Sequence, residues 1–291
     1  MSQSESVMSG QGAMSEAYAA YDPAIALEFF KSVGMPEDVA AGTTFFAENE
    51  KGARSLFTRS GDKMYLLLDG EVSLVAHNRT IGVVAKGEVF GEMASLTHSP
   101  RSATGLAKTA CRVIALDERE FETALTHKPE FALMLLSVLI GRLREAIGQL
   151  STSGVLTKEA AWKDAYVFER KVIAGLVKEF ADEAPKFYDA KKTIMQEGQV
   201  GLFMYVVLKG SVAIFLHGSP VERVGPGGVF GELALVDQQP RAASAVAKTD
   251  CELLAISRKA FRQLMRTKPG FGKSLLAAVA DRGGFMVSRL R

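Results

Sequence analysis

Cysteine, histidine and tryptophan are scarce in this 291-residue chain, at two, four and one. Two cysteines, Cys111 and Cys251, are too few for a disulfide framework or a zinc site, which fits a reducing compartment. The histidines (His77, His98, His127 and His217) include no tight His-x-His cluster of the kind a metal-dependent barrel enzyme needs, and His77 and His217 read as solvated strand-end residues. No nucleophile motif, triad signature or Walker motif is evident, so no enzyme, metal or cofactor is expected. Excess charge of one sign is also missing: 35 Lys+Arg against 33 Asp+Glu leave +2, with no strong electrostatic demand for nucleic acid or an anionic membrane. The longest apolar run, Phe131 to Ile140, is interrupted by Ser137 and followed by Arg142 and Arg144. It falls short of the roughly 20 residues that cross a bilayer. From Met1 to Ala20 the chain has neither the basic nor the apolar segment of a secretory signal and reads as a flexible tail, so a cytoplasmic location is expected.

What is present is apolar material enough for two compact domains, at 47% hydrophobic residues, and an internal repeat. Shifting the chain by 140 residues aligns Gly61–Pro129 with Gly201–Pro269 without a gap, and 25 of the 69 positions are identical. The chain is therefore a tandem duplication. Cys111 and Cys251 correspond in the alignment, so they occupy one place in two units and read as small core residues rather than a bonded pair.

Short apolar runs separated by turn residues fill each unit. Tyr65–Val75 and Tyr205–Phe215 each give two strands broken by a glycine, and further strands are expected at Thr80–Val84, Ser102–Ala107 and Cys111–Leu116. Helical spacing is confined to the edges, at Pro23–Val33, Phe121–Leu125, Phe131–Leu150 and Thr157–Ala181. The fold class expected is α+β, mainly β: two tandem jelly-roll-like β-barrels with flanking helices. A flexible tail would cover residues 1–22, a first domain 23–152 and a second 153–291, divided at the Ser151–Gly154 break.

The densest agreement between the copies lies in a loop, GEVFGEMASLTHSPRSAT at Gly87–Thr104 and GGVFGELALVDQQPRAAS at Gly227–Ser244. Gly91 and Gly231 would let the backbone come close to a ligand, ahead of a single helical turn whose first N–H groups suit an anion. Arg101 and Arg241, nine residues beyond Glu92 and Glu232, can reach back across that turn to the same anion. Each glutamate would then be left to accept a hydrogen bond from a neighbouring hydroxyl, such as a ribose supplies.

The pattern F-G-E-x-A followed by P-R-x-A resembles the phosphate-binding cassette of cyclic-nucleotide-binding domains, as found in regulatory subunits of cAMP-dependent protein kinase, cyclic-nucleotide-gated channels and bacterial catabolite activators. The resemblance appears twice and covers nearly the whole chain outside the tail. It implies that Arg101 and Arg241 bind the cyclic phosphate and that Glu92 and Glu232 bind the ribose 2′-hydroxyl. The backbone N–H groups of Gly91, Met93 and Ala94, and of Gly231, Leu233 and Ala234, would lie nearby. Leu74, Ile81, Ile214 and Val221 would wall the purine. Ser102-Ala103 follows the arginine in the first copy and Ala242-Ala243 in the second, which implies cAMP as ligand of both, with cGMP better tolerated beside the Ser102 hydroxyl.

Departures from the family pattern concentrate in the first copy, where Ser95 stands for a leucine and about eight extra residues separate Phe46 from Tyr65. The activators' adenine-capping hydroxyls fall here on Ala146 and Ile147, so that contact is not carried over; Trp162 and Tyr166 are alternatives for a lid, with a core role the plainer reading. Helix 131–150 is apolar on more faces than one barrel covers, so it is expected to pack within the chain, with homodimerisation as the rival. No helix-turn-helix segment follows the second barrel, no basic recognition stripe lies between the barrels, and no Arg-Arg pseudosubstrate precedes Pro23. The expectation is a stand-alone receptor, bacterial and cytoplasmic, that relays occupancy to an unidentified protein effector. A cyclic dinucleotide receptor and a ligand-free interaction scaffold are the alternatives.

Overall fold

A computed structural model describes residues 21–51, 63–153, 156 and 162–289. The first unit runs α1 (Pro23–Lys31), β1 (Pro36–Val39), β2 (Thr44–Phe46), β3 (Met64–Asp69), β4 (Val72–Ala76), β5 (Arg79–Val84), β6 (Val89–Phe90), α2 (Glu92–Thr97), β7 (Thr104–Ala107), β8 (Cys111–Leu116), α3 (Glu118–His127) and α4 (Glu130–Ser153). The second runs β9 (Lys163–Asp164), α5 (Arg170–Glu179), β10 (Lys186–Tyr188), β11 (Thr193–Met195), β12 (Phe203–Lys209), β13 (Val212–Leu216), β14 (Ser219–Val224), β15 (Val229–Phe230), α6 (Leu233–Val236), β16 (Ser244–Ala247), β17 (Cys251–Ser257), α7 (Arg258–Thr267) and α8 (Pro269–Ser288).

In each unit two sheets close a small jelly-roll barrel, antiparallel except for the two-residue β9, which pairs parallel to β14. The orders are β1-β8-β3-β6 and β2-β7-β4-β5 in the first, and β10-β17-β12-β15 and β11-β16-β13-β14-β9 in the second. Register repeats with the sequence: Tyr65 lies opposite Ala115 and Tyr205 opposite Ala255. Strand β3 is apolar at successive positions because both of its faces are covered. Met64 and Leu66 join the core shared with the helices, while Tyr65 and Leu67 point into the barrel with Val72 and Val113. The β4–β5 turn needs left-handed backbone at two consecutive residues, His77 (φ 50°) and Asn78 (φ 60°), as a tight hairpin of this hand does.

Local signals set the helix ends. The Asp22 carboxylate accepts from the Ala24 N–H ahead of Pro23, and Asp117 and Glu120 form a reciprocal capping box on α3. Helix α4 has apolar residues around most of its circumference because it is covered on two sides, by the first unit and by α8 of the second. The crossing is reciprocal: α8 also packs on α2, and α4 on α6. This intrachain packing takes up the surface for which homodimerisation was the rival.

Two expectations change. The stretch Thr157–Ala181 is not one helix among the described residues: Lys163–Asp164 adds to the edge of β14, Ala165 N–H donates to Arg223 O, Phe168 N–H donates to Gly227 O, and a helix forms only over Arg170–Glu179. Backbone pairing with the barrel edge overrides the apolar spacing there. Tyr21 and Asp22, assigned to the tail, belong to the folded unit, Tyr21 by an OH donated to Gly87 O at 2.7 Å and Asp22 by capping α1. The rest of the tail, residues 1–20, lies outside the described residues. Both cysteines are buried and unbonded. His77 and His217 sit at strand ends with exposed side chains, though His217 also contacts Glu197 and the Ser151 hydroxyl.

Candidate functional site

Each loop between β6 and β7, and between β15 and β16, turns at a glycine in left-handed backbone, Gly91 (φ 74°) and Gly231 (φ 81°). A side chain there would also collide with the arginine: a Cβ on Gly231 would lie 2.8 Å from Arg241 Nη1, and one on Gly91 3.1 Å from Arg101 Nη1. The glycine thus makes room for the guanidinium. Arg101 donates to Gly91 O (2.7 Å) and Lys63 O (2.9 Å) and lies over the Phe46 ring, 4.4 Å from its centroid. Arg241 donates to Gly231 O and Phe203 O, both at 2.6 Å. These partners are neutral carbonyls, and no ion pair to Arg241 occurs among the described residues. Burial pulls its pKa below the ordinary arginine value, against the raising effect of Tyr205 and Glu232.

The cassette glutamates are buried at 5% and 1% exposure, and each is met by an arginine from the unit's last helix. Arg142 on α4 donates to Glu92 Oε1 at 2.7 Å, and Arg282 on α8 to Glu232 Oε1 at 2.6 Å. The two arginines are 140 residues apart, so the repeat continues beyond the Lys-Pro pairs into the helices. Their surroundings differ. Arg142 is 59% exposed, whereas Arg282 is buried, shares its Nε–H between both carboxylate oxygens of Glu222 and donates to Val229 O. The position equivalent to Glu222 in the first unit is Gly82.

All the residues expected at the two sites line cavities. In the first unit Leu74, Ile81, Gly91, Glu92, Met93, Ala94, Arg101, Ser102 and Ala103 surround a cavity of about 480 Å³. In the second, Ile214, Val221, Gly231, Glu232, Leu233, Ala234, Arg241, Ala242 and Ala243 surround one of about 70 Å³. Trp162 and Tyr166 line neither; Trp162 packs on Phe215 at 6.3 Å, and Tyr166 on Phe168 at 6.5 Å. The lid over the second cavity comes instead from α4 of the first unit, through Leu143 and Ile147. Ile147 thus lines the cavity of the other unit with an apolar side chain.

Sequence reasoning missed four groups: Arg142, Arg282, Glu222 and Arg144. Arg144 reaches from α4 to the second cassette, donating to both oxygens of the Asp237 carboxylate and to Pro240 O, next to Arg241. The Asp237 side chain is 1% exposed, and among the described residues only the Gln239 N–H donates to it besides Arg144. Arg144→Ala is expected to destabilise the protein by about 1–3 kcal/mol, read in a urea melt, with Arg144→Lys recovering part of the loss.

Glu222, almost fully buried, has its pKa raised by desolvation, against the lowering effect of Arg282. For Arg282 burial would lower the pKa, but Glu222 and Glu232 raise it overall. The sign for stability follows. A carboxyl whose folded pKa lies above the unfolded value of 4.5 penalises the folded state at neutral pH, and that penalty fades as pH falls through the folded pKa towards 4.5. Glu222→Gln, which leaves Arg282 paired to Glu232, should therefore be more stable than the parent at pH 7, with the difference shrinking by pH 4.5. A deficit at pH 7 that disappears on acidification would show instead that the ion pair outweighs desolvation.

Two jelly-roll barrels, each with a buried glutamate and arginine beside a cavity at one short helical turn, define a pair of nucleotide-cassette domains. A sequence model of the family described as "Cyclic nucleotide-binding domain" matches residues 58–128 and 185–268, over half of the chain. The chain belongs to this family. Among its relatives are the cAMP-dependent protein kinase regulatory subunits of Aspergillus niger (30% identical over 220 residues, 71% of this chain and 48% of the relative) and Eremothecium gossypii (26% over 206 residues, 70% and 40%). The chain spans less than half the length of these curated relatives. A solved structure, the regulatory domain of Toxoplasma gondii PKA with cAMP, is 24% identical, with 82% of this chain and 84% of that one covered and a TM-score of 0.30. Among the described residues no helix is long and apolar enough to cross a membrane, and no cluster of side chains could hold a metal ion.

Proposed function

We propose that the chain is a tandem cAMP receptor that passes the occupancy of its two cassettes to a protein partner through helices α4 and α8. The observation that carries this reading is the state of Glu232. One carboxylate oxygen takes the Arg282 hydrogen bond, while the other, Oε2, is buried with no partner. A buried unpaired acceptor costs about 1–3 kcal/mol, and a sugar hydroxyl donating to Oε2 would satisfy it without displacing Arg282. A cyclic phosphate against the Arg241 guanidinium would supply the missing anion. One ligand carrying both groups meets both needs.

Because Arg282 belongs to α8 and touches the glutamate that would hold the sugar, binding and helix position share one hydrogen-bond network. Ligand would favour whichever helix arrangement keeps that network complete, a shift between two packings of α8. The second cavity, at about 70 Å³, is much tighter than the first, at about 480 Å³, and α4 forms part of its wall, so binding there would engage α4. The alanines Ala242 and Ala243 offer no hydroxyl to a guanine amino group, which supports cAMP at that site, whereas Ser102 makes the first site the more tolerant of cGMP. The relatives' name, regulatory subunit, supports a protein as the recipient of the signal. Calorimetric titration of the full chain is expected to show two equivalents of cAMP bound, with cGMP weaker at one of them. Absence of heat and of any thermal shift with either nucleotide, in folded and ligand-free protein, would refute the reading.

A further inference from the structure

The two sites differ on the side facing the opposite unit's helix. Beside the first cavity lies a second of about 550 Å³, and Ile81, Met93, Ala94, Ser102 and Arg142 border both. Its far wall is α8, at Gly283, Gly284 and Phe285. In the repeat, Gly283 and Gly284 correspond to Leu143 and Arg144 of α4. Leu143 fills the lid of the second site and Arg144 clamps its cassette, while the glycines at the first site leave the same positions open. A Cβ built on either glycine meets nothing within 4 Å. The barrel wall agrees: Ile81 is 57% exposed, whereas its equivalent Val221 is 1% exposed.

We propose that the first site takes a cyclic purine nucleotide enlarged at its base by an aromatic group, which lies in the annex between barrel one and α8. This rests on the cyclic-nucleotide reading of the cassettes given above. The chemistry of the annex suits a ring with a polar edge. Ile81 and Phe285 supply apolar and aromatic walls, Thr97, Ser99 and Ser288 supply hydroxyls, and the Lys163 ammonium, ion-paired to Asp281, stands over the Phe285 ring at 5.5 Å. Ile81 is common to both spaces, so a purine against Leu74 and Ile81 has the annex at its edge. Glycine weakens a helix interior, yet two stand together in α8 where it lines the annex.

The test is calorimetry on the full chain with cAMP, N6-benzyl-cAMP and 8-benzylamino-cAMP, in the parent and in Arg101→Ala, Arg241→Ala, Gly283→Leu and Gly284→Leu. At least one benzyl derivative is expected to bind with one equivalent and within fivefold of the cAMP affinity. That binding should vanish in Arg101→Ala, persist in Arg241→Ala, and weaken tenfold or more in a glycine variant whose cAMP affinity changes less than threefold. Rejection of both derivatives by a first site that binds cAMP overturns the annex alone, as does equal binding of a derivative at both sites or indifference to both leucines. Failure of cAMP itself to bind overturns the receptor reading and the annex with it.

Discussion

Arg241→Ala is expected to remove one of two cyclic-nucleotide binding events while leaving the protein folded. Its guanidinium donates to two carbonyl oxygens and makes no ion pair among the described residues, and burial lowers its pKa against the raising effect of Tyr205 and Glu232. Truncating a buried partner of a charge-assisted contact costs about 2–5 kcal/mol, or roughly 30-fold to a few-thousandfold in affinity. The melting midpoint should move little by comparison. Glu232→Ala should cost less, about 1.5–3 kcal/mol, since it removes one hydrogen bond to a charged group. An Arg241→Ala protein that binds two equivalents at parental affinity would remove the phosphate role from the cassette.

The second large effect is on stability. Arg282 is the only residue ion-paired to Glu222 and Glu232 among the described residues, and both carboxylates are buried, at 4% and 1% exposure. Arg282→Met keeps the aliphatic stem and leaves two buried carboxylates near one another without their ion-pair partner. Breaking a buried pair in this way costs about 3–5 kcal/mol. Adding Glu222→Gln should recover part of that loss, because the two residues interact directly and their effects are not additive. A urea midpoint for Arg282→Met matching the parent's would show that the network contributes little to holding α8 on its barrel. Arg142→Met in the first unit should cost far less, since Arg142 is half-exposed and Gly82 stands where Glu222 would be.

Which parts were legible in the sequence follows from what the duplication preserved. The cassettes could be read because Gly, Glu, Pro and Arg recur in both copies at one spacing, and the strands because short apolar runs end at turn residues. Arg142 and Arg282 were legible in principle, since the 140-residue shift continues through Phe131 and Phe271, Leu135 and Leu275, to the two arginines. In those helices, however, apolar packing positions outnumber the polar matches and mask them. Lys163–Asp164 could not be read as a strand: two residues have no periodicity, and their pairing with β14 is decided by a distant sheet edge. The lid that α4 places over the second cavity was invisible for a different reason. Nothing in the pattern of α4 says that Leu143 and Ile147 face the other unit's cavity, because that depends on how two finished barrels dock.

The asymmetry between the sites also has a source other than the one the sequence suggests. Ser95 and the longer β2–β3 connection mark the first copy as the more divergent. What separates the cavities, though, is Gly82 against Glu222 and Gly283-Gly284 against Leu143-Arg144, on walls outside the cassette. The cassette sets the common ligand chemistry, and the opposite helix sets how tightly each site is enclosed.

That cross-unit closure is tested most directly by amide hydrogen exchange on Arg101→Ala saturated with cAMP, where only the second site is to be filled. The account predicts slowed exchange in α4 around Leu143–Ile147, a segment of the first unit, together with α6 and α8. Slowing confined to the second barrel and α8, with α4 exchanging as in the unliganded protein, would contradict it.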